Sequence, residues 1–216
     1  MSYYKKLNLD LNPLISTESF RNEMNILMLL GGRRILGFGV FDPRRYIKSS
    51  VLDAIEQLGV RVKDLIVFNN NRNPDSTAIE KRALHKDISW NSATESWQQV
   101  YCGINWEISA GSKNLFSWYD TSMLMDVPPP RGPYGPISAA LDGIHVVYRG
   151  YNGVPFNAVK LDETYIDMPT LVRTDVAHIT VYGGDKNRYA ISLRIDETDI
   201  HSWQQVEELF LPLGIV

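Results

Sequence analysis

From residue 84 onward the sequence breaks into short β-type runs, and this pattern restricts the fold more than any other feature. The runs occupy residues 100–109, 115–119, 144–148, 170–174, 178–182 and 189–195. Turn signals separate them, among them Ala110-Gly111-Ser112, Asn152-Gly153 and Gly183-Gly184-Asp185. Many short strands with such punctuation predict a sandwich or barrel of the jelly-roll type. The proline-rich residues 127–136 (VPPPRGPYGP) cannot form a central strand, because proline brings no N–H to the ladder. They are expected to loop over one end of the β core.

Ahead of this region the pattern is mixed. Ser16 or Thr17 is placed to cap a short helix through Asn25, with Glu18 in its first turn. Ser49 and Ser50 open a second helix, in which Val51, Leu52, Ile55 and Leu58 form one apolar stripe and Gly59 stops it. Residues 64–68 (DLIVF) read as a buried strand, and residues 69–76 (NNNRNPDS) as a loop. A last helix is expected from Ser202, with Val206, Leu209 and Phe210 on one face.

A chain of 216 residues is long enough to bury a substantial core, and a single domain is the natural count. The net charge of −3 gives no support for general nucleic-acid or acidic-membrane binding. Arg33, Arg34, Arg44 and Arg45 read as a solvated basic face. Cys102 is the one cysteine, which excludes an intramolecular disulfide and a cysteine-rich zinc site. Lys5 and Lys6 stand near the start without the apolar stretch of a signal peptide, and the most apolar segment, residues 26–30, is too short to span a bilayer. A soluble, cytoplasmic protein is the expectation.

Four histidines carry what chemistry the sequence offers: His85, His145, His178 and His201. His85 belongs to the triplet His85-Lys86-Asp87. On extended chain the side chains alternate, so an H-x-D triplet presents its imidazole and its carboxylate on one face, where both can reach one metal ion. A histidine from a distant strand would complete two histidines and a carboxylate, which leaves coordination positions open for a co-substrate and O₂. His178 begins a strand that leads through a Gly-Gly turn into a second strand, on which Arg188, Ala190, Ser192 and Arg194 share one face. An arginine on that polar face suits a bidentate pair with a dicarboxylate, and a serine beside it adds a hydrogen bond. Both Arg188 and Arg194 meet this description.

At these residues the chain resembles the Fe(II)/2-oxoglutarate-dependent oxygenases, and most closely the aspartyl/asparaginyl-hydroxylase-like proteins of phages and marine bacteria. The resemblance covers about residues 84–195. It rests on the His85/Asp87 triplet, on Gly103-Ile-Asn-Trp-Glu-Ile followed by Phe116-Ser-Trp-Tyr119, on the run from Met168 to His178, and on Arg188 ten residues beyond that histidine. After Asn105 the chain continues Ile108-Ser-Ala-Gly, where much of the group has an Asn-Cys pair. The resemblance implies a mainly β (α+β) domain spanning 1–216. Within it, a mixed part, 1–83, packs on a double-stranded β-helix (jelly-roll, cupin-like) core, 84–216, with a closing helix. It implies His85, Asp87 and His178 as iron ligands and Arg188 as the residue that holds the distal carboxylate of 2-oxoglutarate. The activity implied is hydroxylation with O₂, releasing succinate and CO₂. For a phage-encoded protein the compartment would be the host cytoplasm.

Each of these residues also has a plainer reading. His85 and Asp87 fit a solvated loop pair, His178 a core histidine bonded to a carbonyl, and Arg188 a surface arginine facing Asp185 across the turn. Tyr101 and Trp118 are core candidates first, with a contact to the co-substrate as their further role. His145 and His201 are expected outside the chemistry, His201 in the cap of the last helix. Two other functions fit the same sequence: a non-enzymatic jelly-roll structural or binding protein of a phage, and a cupin-like metalloenzyme that does not use 2-oxoglutarate. The prime substrate is open among a protein side chain, a nucleotide and a small metabolite.

Overall fold

A computed structural model of the chain describes residues 2–11, 38–70, 84–91, 94–107, 113–122, 146–151, 159–183, 188–196 and 199–214. Of several strand ends, Arg188 among them, it describes the backbone alone. The described residues are mainly β. Among them, twelve strands run in chain order: β1 (Tyr4–Lys6), β2 (Phe38–Phe41), β3 (Val62–Asn70), β4 (Leu84–Asn91), β5 (Ser96–Gln99), β6 (Cys102–Glu107), β7 (Lys113–Asp120), β8 (Val146–Tyr151), β9 (Val159–Tyr165), β10 (Thr170–Arg173), β11 (His178–Gly183) and β12 (Arg188–Ile195). Helix α1 (Ser49–Glu56) lies between β2 and β3, and α2 (Trp203–Leu209) follows β12.

The strands form two antiparallel sheets. The first has the order β1-β10-β6-β12-β3-β2, and the second β5-β4-β11-β7-β9 with β8 also paired to β4. The pairing is nested. β3 pairs with β12 in the first sheet, β4 with β11 in the second, β6 with β10 in the first, and β7 with β9 in the second. Taken from the outermost pair inward, these pairs alternate between the sheets, while β1 to β3, β4 to β5 and β7 to β9 each stay within one sheet.

Every strand expected between residues 100 and 195 is present. The H-x-D triplet lies on β4, as extended chain. Four strands have no counterpart in the sequence reading: β1, β2, β5 and β9. β9 (VKLDETY) is a sheet edge with Val159, Leu161 and Tyr165 exposed, so it lacks the apolar-in, polar-out alternation that marks a half-buried strand. The expected loop at residues 69–76 begins later, because Asn69 and Asn70 still pair with Tyr189 and Arg188. The expected first helix (16–25), the proline-rich loop (127–136), Arg33, Arg34 and His145 lie outside the described residues.

Alternation along β12 sorts the interior. Ile191, Leu193 and Ile195 join one core cluster with Leu65 and Val67 of β3, Ile104 of β6, Val51, Leu52 and Ile55 of α1, and Trp203 and Val206 of α2. Full burial of each such side chain contributes about 1.5–3 kcal/mol. The cluster draws on residues before and after position 84, so the helices and the sheet share a core. α1 ends just before Gly59, whose φ of +87° suits a residue with no Cβ. α2 is capped by the Ser202 hydroxyl, which accepts from the Gln205 N–H at 3.1 Å. His201 sits in that cap, its N–H donating to Gln205 Oε1 at 2.9 Å. The opposite face of β12 carries Ala190, Ser192 and Arg194, and it looks across to the second sheet. No helix among the described residues is long and apolar enough to cross a membrane.

Candidate metal centre

His85 and Asp87 project from one face of β4, two residues apart, as the strand period requires. His178, the first residue of β11, stands directly opposite His85 in the ladder. Residues opposite each other in an antiparallel pair point to the same side with their Cβ atoms about 4.5–5.5 Å apart. The register therefore brings a side chain from a strand far along the sequence onto the H-x-D pair. Backbone bonds fix the neighbourhood. The Asp87 N–H donates to the Thr174 carbonyl at 3.0 Å, and the Asp87 carbonyl accepts from the Val100 N–H at 3.1 Å and from Gln99 Nε2 at 2.7 Å.

The three side chains converge. Asp87 Oδ1 is 3.7 Å from His85 Nε2 and 3.6 Å from His178 Nε2, and the ligand atoms all lie within 4.8 Å of one another. Donor atoms about 2 Å from a shared metal stand at most about 4 Å apart, so a small side-chain adjustment closes the set on an ion. The imidazole centroids are 4.5 Å apart with the rings inclined by 59°. The Asp87 and His178 side chains are 3% and 4% exposed and that of His85 is 18%, which puts the solvent side of the cluster at His85.

The hydrogen bonds around the cluster orient it. The second ring nitrogen of His178, Nδ1, is 2.9 Å from the Val176 carbonyl. A carbonyl only accepts, so Nδ1 carries the proton and Nε2 presents its lone pair toward Asp87. Phe116 stacks on the same imidazole at 4.8 Å and 18°. On the carboxylate, Oδ2 accepts from Arg194 Nη1 at 2.5 Å across the gap between the sheets. The other oxygen, Oδ1, is buried and has no hydrogen-bond partner among the described residues. A buried carboxylate oxygen left so costs more than an ordinary unmade bond. It faces two imidazole nitrogens that, unprotonated, also offer only lone pairs. A cation satisfies all three at once, and two nitrogens with one oxygen suit Fe, Mn, Co or Zn.

Electrostatics favours the metal-binding protonation states. Burial alone would raise the Asp87 carboxyl, but the charge of Arg194, joined by the His178 and His85 imidazoles once acid protonates them, outweighs it and holds it below the ordinary carboxylate range. Burial pushes the His178 imidazole down, against the pull of Asp87 and the Val176 carbonyl, so it stays neutral near pH 7. Cys102 is buried and its thiol is pushed up to about 12, chiefly by that burial, which removes it as a thiolate ligand.

The remaining site candidates fall in different places. Ser192 is buried on the inner face of β12, and the backbone of Arg188 occupies the same strand two alternations earlier. Arg194, read from the sequence as a rival carboxylate holder, is engaged by Asp87. Trp118 pairs in register with His178 but packs in the core against Tyr3, Tyr4 and Phe116, its indole N–H donating to the Arg173 carbonyl at 2.7 Å. Tyr101 packs, half-buried, against the main core. The sequence reading missed Phe116 and the Val176 carbonyl. Phe116 could have been found by alternation, since it is two residues from Trp118 on the face of β7 that the ladder sets beside His178. Comparison with protein-family models, with curated proteins and with solved structures gives no match for this chain.

Proposed function

We propose that the chain is an Fe(II)/2-oxoglutarate-dependent oxygenase, a hydroxylase, on a double-stranded β-helix (jelly-roll) core. The observation that carries the reading is the pair of histidines and one carboxylate converging between the sheets, with Asp87 Oδ1 buried and unsatisfied. The nested strand pairing supports the core assignment, because a jelly roll folds two chain halves together in that way. His85, Asp87 and His178 would hold the iron at three positions and leave the others to ligands from solution. Bound Fe(II) with 2-oxoglutarate and O₂ supplies an oxidant for a C–H bond, with succinate and CO₂ as co-products.

The chain's own residues would divide the remaining work. The Val176 carbonyl keeps the His178 tautomer, and Arg194 keeps Asp87 ionised and turned so that Oδ1 faces the metal. With Arg194 so engaged, Arg188 is the better holder for the distal carboxylate of 2-oxoglutarate, with Ser192 two alternations along the same strand face. Substrate would approach from the His85 side, the more exposed side of the cluster.

Anaerobic titration tests this. Protein loaded with Fe(II) should develop a weak visible charge-transfer band when 2-oxoglutarate is added, and the band should weaken in Arg188→Ala. Iron binding without such a band would point to a cupin-like metalloenzyme. A protein that retains no iron would sink the metal reading and leave a jelly-roll binding protein.

A further inference from the structure

Arg194 is an awkward residue for a strand interior. Its guanidinium is buried, yet it must bridge from the first sheet to Asp87 on the second. The volume it crosses is set by its ladder neighbours. On β6 the residue directly opposite Arg194 is Gly103, and the next pair on the same face is Ser192 with Asn105. Gly103 is buried within its strand, a place where glycine weakens the sheet unless another group needs the space. Here the space is measurable. A Cβ at position 103 would lie 3.1 Å from Ser192 Oγ, 3.4 Å from Asn105 Oδ1 and 3.6 Å from Arg194 Nη1. Nη1 is the atom that donates to Asp87 Oδ2.

We infer that Gly103 is a positioning residue of the metal centre: its bare backbone leaves the volume through which Arg194 reaches and orients Asp87. The inference rests on reading His85, Asp87 and His178 as metal ligands. A single methyl at position 103 crowds Ser192 Oγ first and touches Nη1 only at ordinary contact distance. A branched side chain extends past Cβ into the volume of the guanidinium, because Ser192 and Asn105 close the other directions. Displacing Nη1 frees Asp87 to rotate, and the oxygen presented to the metal is then no longer fixed.

The experiment is a double-mutant cycle on the full chain, with Co(II) as the probe metal and its visible absorption as the coordination readout. Gly103→Val should lose about 10–100-fold in Co(II) affinity, the usual effect of disturbing a partner of a metal ligand, and change the band shape. Arg194→Lys keeps the cation but lacks the planar fork, and should show a loss of the same kind. If Gly103 acts through Arg194, adding Gly103→Val to Arg194→Lys costs little more. Gly103→Val binding Co(II) as the wild type does, or losses that add in full, would overturn the inference. Should Gly103→Val fail to fold, Gly103→Ser, which also carries an atom beyond Cβ, replaces it: a smaller loss in the wild-type background that vanishes in the Arg194→Lys background supports the inference, and no loss in either background overturns it. A folded wild type that takes up no Co(II) overturns the ligand assignment itself, and this inference with it; normal wild-type binding with an indifferent position 103 overturns this inference alone.

Discussion

The two faces of β12 are built to different rules. Ile191, Leu193 and Ile195 bury their side chains against helices and neighbouring strands, with no charge to balance. Ser192 and Arg194, on the other face, are also buried, and Arg194 bonds to the carboxylate of Asp87 on the second sheet, beside His85 and His178. The apolar face gains stability by removing surface from water. The polar face must recover a large desolvation cost through good geometry, and buried ion pairs often no more than break even in doing so. A chain under selection for stability alone would have made both faces alike. The second face is where we propose that a metal ion binds.

The largest expected effect comes from breaking the polar face on one side only. Arg194→Met should lower unfolding free energy by about 3–5 kcal/mol, because Asp87 is left as a buried charge without its cation. Replacing both partners, Arg194→Met with Asp87→Asn, should recover most of that loss in chemical denaturation while abolishing metal uptake. If the double variant stays as unstable as the single, the pair holds the fold rather than the site. On the apolar face, Leu193→Ala should cost about 3 kcal/mol by leaving a cavity. Its Co(II) affinity should match the wild type as long as the variant is folded, which separates the two faces by function as well as by energy.

Of the two faces of β12, acid should act on the polar one. His178 has a folded pKa below its ordinary value of 6.5, so below that pH the unfolded chain binds the proton more readily. Its share of stability is complete above about pH 6.5 and is lost as pH falls toward the folded value. Asp87, also depressed, adds a second loss as pH falls below its ordinary value of 3.8. Denaturant melts of the metal-free protein between pH 7 and 5 should show the first slope, and His178→Asn should remove its part. The smallest effect belongs to the helix on the apolar side. Ser202→Ala removes the α2 cap and should cost about 1 kcal/mol without moving metal affinity.

Much of the fold was legible because alternation and turn residues are local. The strands from β6 to β12, apart from β9, follow from them, and so do α1 and the Ser202 start of α2. β9 was not legible, since an exposed edge strand obeys no burial period. The H-x-D half of the site was also local, and the period of two sufficed to align His85 with Asp87. Choosing His178 needed the resemblance, because the register that sets it opposite His85 is a property of strands far apart in sequence. For the same reason alternation could place Arg194 on the inner face but could not name Asp87 as its partner. Gly103 entered the sequence reading only as part of a motif and not as a site residue, as its meaning lies in what occupies the space beside it.

The central claim is that His85, Asp87 and His178 share one metal ion. Anomalous diffraction from crystals soaked anaerobically in Co(II) tests it most directly. One peak bonded to His85 Nε2, Asp87 Oδ1 and His178 Nε2, and absent in Asp87→Ala, is the predicted result. Crystals that show no peak there, or one that survives Asp87→Ala, would contradict it.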